Sequence, residues 1–293
     1  MSKFEAQSLS VVVPAGCLNR CKFCVSHMHN HTYKNQMDEN LPFYDLYLED
    51  YIRRLNFAKK NDCNIVMLTG NGEPLLNRQF LQTFSILNKY VIDAPFEWIE
   101  IQTSGTTLDD NYCRFLRNTV WVNVISLSLS DVFDSNVNAQ INQTNPQYKV
   151  DIDKACASIK KYDFTLRLSL NLCNTYNNRK PEEIFERARN LGADQIILRV
   201  LYTSGLNTPE DEWIKTNSID EHKLAELYNY ITEHGTAIGK LPFGAVKYSL
   251  HGMSTVVDKD CMNKELKEVV KYMVLRPDCK LYSRWDDPAA LIF

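Results

Sequence analysis

The order of strand-like and helix-like patterns along the chain most constrains its fold. Within the first 235 residues, short apolar runs alternate six times with amphipathic runs of helical spacing. The predicted strands cover residues 8–14, 64–70, 97–105, 120–130, 164–173 and 195–204. The predicted helices cover residues 43–60, 77–90, 109–118, 151–162, 181–192 and 218–235. Such alternation indicates a parallel sheet flanked by helices.

Alternation alone fits a doubly wound sheet, a complete barrel or a partial barrel, and the strand faces help to choose between them. In the fifth strand, Arg167, Ser169, Asn171 and Cys173 alternate with four leucines, and the two preceding strands show the same period. A doubly wound sheet has two apolar faces, and a closed barrel fills its interior with Val, Ile and Leu. The pattern favours a curved sheet whose inner face lines a polar cavity. The alternative is a core in which these polar groups satisfy one another.

We therefore predict an α/β fold, a partial (βα)6 TIM-like barrel with a C-terminal extension. Residues 1–235 form the predicted core and residues 236–293 the extension. Residues 271–287 are typical of a β-hairpin, because Pro277 and Asp278 favour a turn. The extension has the length to cover the open side of the barrel.

Composition limits the function classes. The formal net charge of −3 gives no electrostatic argument for binding nucleic acid or an anionic membrane. No apolar run approaches the roughly 20 residues of a membrane span, and the first residues lack the apolar core of a signal peptide. We expect a soluble, cytoplasmic protein. Since disulfides are rare in that compartment, nine cysteines indicate metal binding or catalysis.

Three of these cysteines form a compact motif directly after the first predicted strand. Cys17, Cys21 and Cys24 have the spacing C-x3-C-x2-C on a polar loop. Three thiolates on one loop can ligate one metal centre, and four-iron clusters normally take four thiolates. Three thiolates would leave one iron open to an external ligand, which is typical of a catalytic rather than a structural centre.

The competing interpretation of this loop is zinc. His27, His29 or His31 could complete a Cys3His site with the three cysteines. Histidines on a polar, Asn-rich loop are more often plain surface residues. The two metal interpretations stay open on the cysteine loop alone.

A second motif follows the second predicted strand. It consists of five residues in the order GNGEP, namely Gly70, Asn71, Gly72, Glu73 and Pro74. Glycines allow a backbone to approach a ligand closely and to adopt positive φ. Free backbone groups ahead of a helix can hold an amino or carboxylate group. This turn and the cysteine loop both follow strands of one parallel sheet, so they lie at the carboxyl end where ligands bind.

Together the two motifs resemble the radical S-adenosylmethionine (radical SAM) superfamily. The resemblance covers residues 8–234, with Asn71 where the family usually has a second glycine. It implies that Cys17, Cys21 and Cys24 hold three irons of a 4Fe–4S cluster, whose fourth iron binds SAM. It also implies that residues 70–74 contact the SAM amino group through their backbone.

Other implied SAM contacts are less firmly placed. Phe23 matches an aromatic residue that lies near the adenine in the family. The remaining contacts come from later strand ends, which here are Ser104, Ser128, Asn171 and Arg199. The implied activity is reductive cleavage of SAM to a 5′-deoxyadenosyl radical that abstracts a hydrogen atom from a substrate. A reductase such as flavodoxin or ferredoxin would supply the electron.

The substrate is open between a small molecule, such as a nucleotide or a sugar, and a partner enzyme that receives a glycyl radical. Two other classes of function compete. One is a zinc-binding Cys3His module with a structural or partner-binding role. The other is an iron–sulfur protein that binds SAM but only transfers electrons or senses. Cys261 and Cys279 are too few and too widely spaced to predict a second cluster.

Overall fold

The computed structural model describes residues 8–29, 41–241, 244–259, 272–287 and 289–293. His31 and Cys261 lie outside these ranges. The strands are β1 (Leu9–Val12), β2 (Ile65–Thr69), β3 (Trp98–Thr103), β4 (Val124–Leu129), β5 (Thr165–Asn171), β6 (Gln195–Arg199), β7 (Thr236–Lys240), β8 (Val246–Leu250), β9 (Met253–Asp258), β10 (Met273–Leu275) and β11 (Leu281–Tyr282). The α-helices are α1 (Val25–Met28), α2 (Asp45–Lys60), α3 (Arg78–Tyr90), α4 (Asp110–Phe115), α5 (Ser135–Ile141), α6 (Ile152–Lys161), α7 (Pro181–Asn190), α8 (Pro209–Asn217) and α9 (Glu221–His234).

The strands of the described residues form one sheet in the order β11-β10-β1-β2-β3-β4-β5-β6-β9-β8-β7. The six strands of the predicted core pair in parallel, as the alternation indicated. Strands β9 and β10 also join in parallel, beside β6 and β1 respectively. The sheet stays open, since its two edge strands are not neighbours. This confirms the α/β fold class and the partial-barrel architecture.

One face of the sheet packs on the helices. Leu166, Leu168, Leu170 and Leu172 are fully buried in the core, as the alternation in β5 predicted. They belong to one cluster with apolar side chains of α2, α3, α6, α7 and α9. Each leucine removed from water in this way stabilises the fold by about 2 kcal/mol. Because this packing fixes the outer face, the polar side chains of the same strands must point to the inner face.

Besides the four-residue α1, two α-helices lie in segments where the sequence pattern predicts none, namely α5 and α8. Both are short and polar, with 7 residues in α5 and 9 in α8. Asp134 and Thr208 cap them through side-chain hydrogen bonds to backbone N–H groups. The predicted helix at 109–118 is confirmed in α4, which continues as a π-helix over Leu116–Val120.

The tail contains the predicted hairpin, formed by β10 and β11 with Pro277 and Asp278 in its turn. The tail also adds β7, β8 and β9, which were not predicted, to the other edge of the sheet. The division at residue 235 and the covering role of the tail stay predictions. Among the described residues, no helix combines the length and apolar character needed to cross a bilayer.

Candidate active site

The cysteine loop runs from the end of β1 into α1. The amide of Cys24 donates to the carbonyl of Cys21 at 3.1 Å, and the amides of His27 and Met28 donate to the carbonyl of Cys24. Cys24 thus sits at the start of α1, and the amide of Asn19 donates to the sulfur of Cys17 at 3.4 Å. These local bonds fold the loop so that the three thiols face one cavity.

Burial raises the pKa of each of the three thiols above its ordinary value. Burial of the sulfur raises the pKa of Cys17 to about 11, although part of this residue reaches solvent. Burial also raises the pKa of Cys21 well above its ordinary value, and the nearby Cys24 and Cys17 sulfurs raise it further. Three thiolates this close together would repel one another, so a cationic metal centre is needed to stabilise them. Thiols lose their protons when they bind a metal. The donor set fits an iron–sulfur cluster, in which each thiolate binds its own iron.

The GNGEP turn packs directly against the cysteine loop. The amide of Glu73 donates to the carbonyl of Gly16 at 2.8 Å. A Cβ at position 72 would overlap the carbonyl oxygens of Ala15 and Gly16, and one at position 70 would lie 2.7 Å from the carbonyl oxygen of Val13. This close backbone packing leaves no room for a side chain at either position. Neither glycine adopts positive φ.

The Glu73 side chain ties this turn to the end of β3. Its carboxylate accepts hydrogen bonds from the Thr103 hydroxyl at 2.6 Å, from the Ser104 amide at 2.9 Å and from the Ser104 hydroxyl at 2.6 Å. Burial raises the pKa of Glu73 above its usual value, although these hydrogen bonds act to lower it. The Glu73 carboxylate is therefore engaged in hydrogen bonds within the protein.

We call the cavity enclosed by these segments the thiol cavity. It has a volume of about 260 Å³ and is lined by all thirteen residues that the sequence singled out. They are Cys17, Cys21, Phe23, Cys24, Gly70, Asn71, Gly72, Glu73, Pro74, Ser104, Ser128, Asn171 and Arg199. The C-terminal ends of β3, β4, β5 and β6 thus line the same cavity as the cysteine loop.

Several polar atoms of the thiol cavity have no hydrogen-bond partner among the described residues. They are the side-chain oxygens of Asn71 and Ser169 and the Nε of Arg199, all buried. Buried polar groups are normally hydrogen-bonded, so these atoms indicate a polar occupant. Four of the predicted residues already pair with one another, since Ser104 donates to Glu73 and Asn171 donates to Ser128 at 3.3 Å.

Sequence reasoning missed other residues of this cavity. Ser126 and Ser169 belong to the polar face that the period-two alternation in β4 and β5 predicted, but they were not singled out as cofactor contacts. Asn19, Thr103 and Tyr202 also line the cavity, and no motif marked them. Cys173, on the predicted polar face, is fully buried and lines neither this cavity nor the larger one beside it.

Of the three candidate histidines, the structure describes His27 and His29, and both contact residues outside the cysteine loop. His27 lies 3.4 Å from the Glu210 carboxylate of α8, and the ring of His29 packs near that of Tyr202. Within the described ranges, no three His, Cys, Asp or Glu side chains are arranged to hold a single metal ion. The zinc-binding module stays an alternative prediction.

A larger cavity, which we call the barrel cavity, adjoins the thiol cavity inside the sheet. Its volume is about 480 Å³, and it shares Val25, Ser26, Gly70, Gln102 and Arg199 with the thiol cavity. The inner face of the sheet thus lines a cavity, as the alternation predicted, and the wall of this cavity combines polar with apolar side chains.

A polar network crosses the wall of the barrel cavity from β3 to β6. Arg167 forms an ion pair with buried Glu100 and donates from Nε to Gln195 at 2.7 Å. Gln102 donates to the other carboxylate oxygen of Glu100 at 3.2 Å. Some polar groups of the inner face therefore hydrogen-bond to one another, whereas others, such as Ser169 Oγ and Arg199 Nε, have no partner among the described residues.

Comparisons with known proteins agree with this fold and site. A family model described as the radical SAM superfamily matches residues 11–172, which is more than half of the chain. Comparison with curated protein sequences gives no match.

Solved structures share the fold at low sequence identity. A structure of native anSMEcpe with bound AdoMet and Kp18Cys peptide is 13% identical, with a TM-score of 0.57 over 95% of this chain and 74% of that chain. Coproporphyrinogen III oxidase from Escherichia coli, a radical SAM enzyme, is 17% identical, with a TM-score of 0.53 over 81% of this chain and 55% of that chain. A structure of anSMEcpe with AdoMet and Cp18Cys peptide is 16% identical, with a TM-score of 0.51 over 78% of this chain and 59% of that chain.

The chain spans less than two thirds of the last two of these structures. The shared fold agrees with the family match over residues 11–172, which contains the cysteine loop and the GNGEP turn. The chain therefore belongs to the radical SAM superfamily, whose members are enzymes that use a 4Fe–4S cluster and S-adenosylmethionine.

Proposed function

We propose that the thiol cavity holds both cofactors and that the enzyme acts on a small molecule bound in the barrel cavity. The observation that carries this proposal is the convergence of three thiols, the GNGEP backbone and four strand ends on one cavity. When bound there, the cluster and SAM supply a 5′-deoxyadenosyl radical that takes a hydrogen atom from the substrate.

Cys17, Cys21 and Cys24 are the proposed cluster ligands. Residues 70–74 offer backbone groups to the amino group of SAM, and the close packing of Gly70 and Gly72 on the cysteine loop keeps them beside the thiols. The buried, unpartnered Nε of Arg199 is a donor for a polar group of SAM. Ser104, Ser128 and Asn171 line the same cavity at the ends of their strands.

Phe23 is the proposed neighbour of the adenine. Its ring centroid lies 6.0 Å from that of Trp213, on α8. This contact places a helix over the cysteine loop, so the chain itself shields this side of the cavity from water. Cys17 is exposed, which gives an external reductant such as flavodoxin or ferredoxin a short route to the cluster. A cytoplasmic location, where such reductants occur, is part of this proposal.

Two features favour a small-molecule substrate over a glycyl-radical partner. The barrel cavity has a volume typical of small-ligand sites, about 300–1,000 Å³. It also shares five lining residues with the thiol cavity, so an occupant of the barrel cavity lies next to SAM. The polar network of Glu100, Arg167 and Gln195 is fixed by its own hydrogen bonds and can orient such a substrate.

The test is the formation of 5′-deoxyadenosine by protein purified and reconstituted without oxygen, then given SAM and dithionite. Mass spectrometry should detect 5′-deoxyadenosine with the wild type and with Cys63→Ala, since Cys63 is a buried cysteine outside both cavities. Cys17→Ala, Cys21→Ala and Cys24→Ala should each abolish it. Bound zinc without formation of 5′-deoxyadenosine would indicate that the cysteine loop is a zinc site and would refute the proposed function. SAM binding without cleavage would favour the electron-transfer interpretation.

A further inference from the structure

The two edges of the sheet give the barrel cavity walls of different chemistry. On the β10 and β11 side, Tyr272 and Trp285 line the cavity. They belong to an apolar cluster that also contains Val12, Val274 and Tyr282. We call Tyr272 and Trp285 the aromatic wall.

A buried arginine holds the aromatic wall in place. Arg276 is 1% exposed and lies over the ring of Tyr282, with its guanidinium carbon 3.7 Å from the ring centroid. Its Nη2 donates to the backbone carbonyls of Arg284 and Trp285 at 2.9 and 3.0 Å, and to that of Asp287 at 3.1 Å. The segment that carries Trp285 is thus anchored before any ligand binds. Such preorganisation lowers the entropic cost of binding a flat group against the ring.

The opposite wall, from β6, β8 and β9, is polar and cationic. Lys247 on β8 pairs in register with Val256 on β9, which pairs in turn with Ile197 on β6. The backbone of Lys247 is therefore two strand spacings, about 10 Å, from that of β6. Arg199 and Asp258 are register partners further along β6 and β9, and both line the cavity.

The charges of the cavity lining are unbalanced. Arg167 is neutralised by Glu100, whereas neither Arg199 nor Lys247 forms an ion pair with any residue in the described part of the chain. The lining contains three cationic and two acidic side chains, which leaves one positive charge in excess. A cation that faces a partly enclosed cavity without a counter-ion attracts an anionic ligand. Arg199 lines both cavities, whereas Lys247 lines the barrel cavity alone. Among the described residues, Lys247 is therefore the one cation without a counter-ion that belongs only to the barrel cavity.

We propose that the substrate is a small organic anion with a flat apolar ring, whose carboxylate or phosphate binds Lys247 and whose ring packs against Tyr272 and Trp285. This inference rests on the proposed function, since it names the substrate class of the same site. Lys247 is then a specificity-determining residue, which selects the charge of the substrate, and the aromatic wall selects its shape.

The test measures binding of simple probes to the anaerobically reconstituted, SAM-loaded protein by ligand-observed NMR titration. Phenylacetate and phenyl phosphate carry both a ring and an anion, phenylacetamide is the neutral analogue of phenylacetate, and acetate lacks the ring. The variants are Lys247→Gln, Lys247→Arg and Trp285→Ala. Lys240→Gln is the matched control, because Lys240 is exposed on neighbouring β7 and does not line the cavity.

We expect phenylacetate or phenyl phosphate to bind the wild type about tenfold or more tightly than phenylacetamide and acetate, the gain expected of one charge-assisted contact. Lys247→Gln should remove this preference for the anion, while Lys247→Arg and Lys240→Gln should keep it. Trp285→Ala should weaken the ring-bearing probes and leave acetate unchanged. The tighter of the two anionic probes identifies the carboxylate or the phosphate as the natural group.

The proposal is overturned if neither anionic probe binds, if phenylacetamide binds as tightly, or if Lys247→Gln binds the anions like the wild type. The titration needs no radical chemistry. Formation of 5′-deoxyadenosine without selective probe binding would therefore refute the substrate class alone, and selective binding without SAM cleavage would refute the proposed function alone.

Discussion

At the scale of single residues, the site depends on close packing between the backbones of the GNGEP turn and the cysteine loop. A side chain at position 72 would prevent this packing. The sequence alone was enough to single out Cys17, Cys21, Cys24 and the GNGEP turn, because both are short motifs whose residue types and spacing are typical of cofactor binding. The partners of Glu73 were not predictable. They come from the end of β3, 30 or more residues away, and no local pattern records such a contact.

Gly72→Ala tests the close approach of the GNGEP turn to the cysteine loop. The added Cβ would overlap backbone oxygens that cannot move without displacing the loop. We expect a loss of about 2–4 kcal/mol in the free energy of unfolding, measured by urea denaturation, together with a lower iron content after reconstitution. Gly16→Ala is the control, because a Cβ added at position 16 would point into open space. Equal behaviour of the two variants would contradict the packing argument.

Glu73→Ala tests the link between the turn and β3. It removes the acceptor for the Thr103 and Ser104 hydroxyls and for the Ser104 amide, and leaves these donors buried. We expect the free energy of unfolding of the cofactor-free protein to fall by about 2–4 kcal/mol. Glu186→Ala, at an exposed position of α7, should change it by less than about 0.5 kcal/mol. A Glu73 variant as stable as this control would refute the structural role.

At the scale of elements, long amphipathic runs were predictable and short polar ones were not. The period-two alternation of β3, β4 and β5 correctly identified the inner face of the sheet. Helix α8 was not predicted because it lacks a pronounced apolar face. Its start is instead defined by the Thr208 cap. It still bears on the site, since its Trp213 contacts Phe23 and its Glu210 lies near His27.

Asp211 anchors α8, and its titration gives a pH test. Burial alone would raise the pKa of Asp211, but hydrogen bonds from Ser204 and Thr208 outweigh it and lower the pKa to about 2. A carboxyl whose pKa falls on folding stabilises the fold above its ordinary pKa of 3.8, and this contribution is lost as the pH falls towards 2.

We therefore expect Asp211→Ala to lower the free energy of unfolding of the cofactor-free protein by about 1–3 kcal/mol at neutral pH. Urea denaturation between neutral pH and about pH 2.5 should show the difference from the wild type shrinking below about pH 4. Glu212→Ala, the exposed neighbour, should change stability little at any pH. A difference that stays constant across this range would show that the charge of Asp211 is not involved.

At the scale of the whole molecule, the sequence predicted the parallel core but not how the tail completes the sheet. Strands β9 and β10 join opposite edges through pairings with β6 and β1, and β10 lies more than 250 residues from β1 along the chain. Register over such separations depends on packing that no local pattern contains. As a result, the position of Lys247 in the wall of the barrel cavity could be found only from the three-dimensional structure.

The central claim is that one cavity holds a three-cysteine cluster with SAM on its open iron. The most direct test is the electron paramagnetic resonance spectrum of the reconstituted, dithionite-reduced protein with and without SAM. We predict about four irons per chain and a reduced-cluster signal whose shape changes when SAM is added, with both lost in Cys24→Ala. Zinc in place of iron, or a cluster signal that SAM leaves unchanged, would contradict the account.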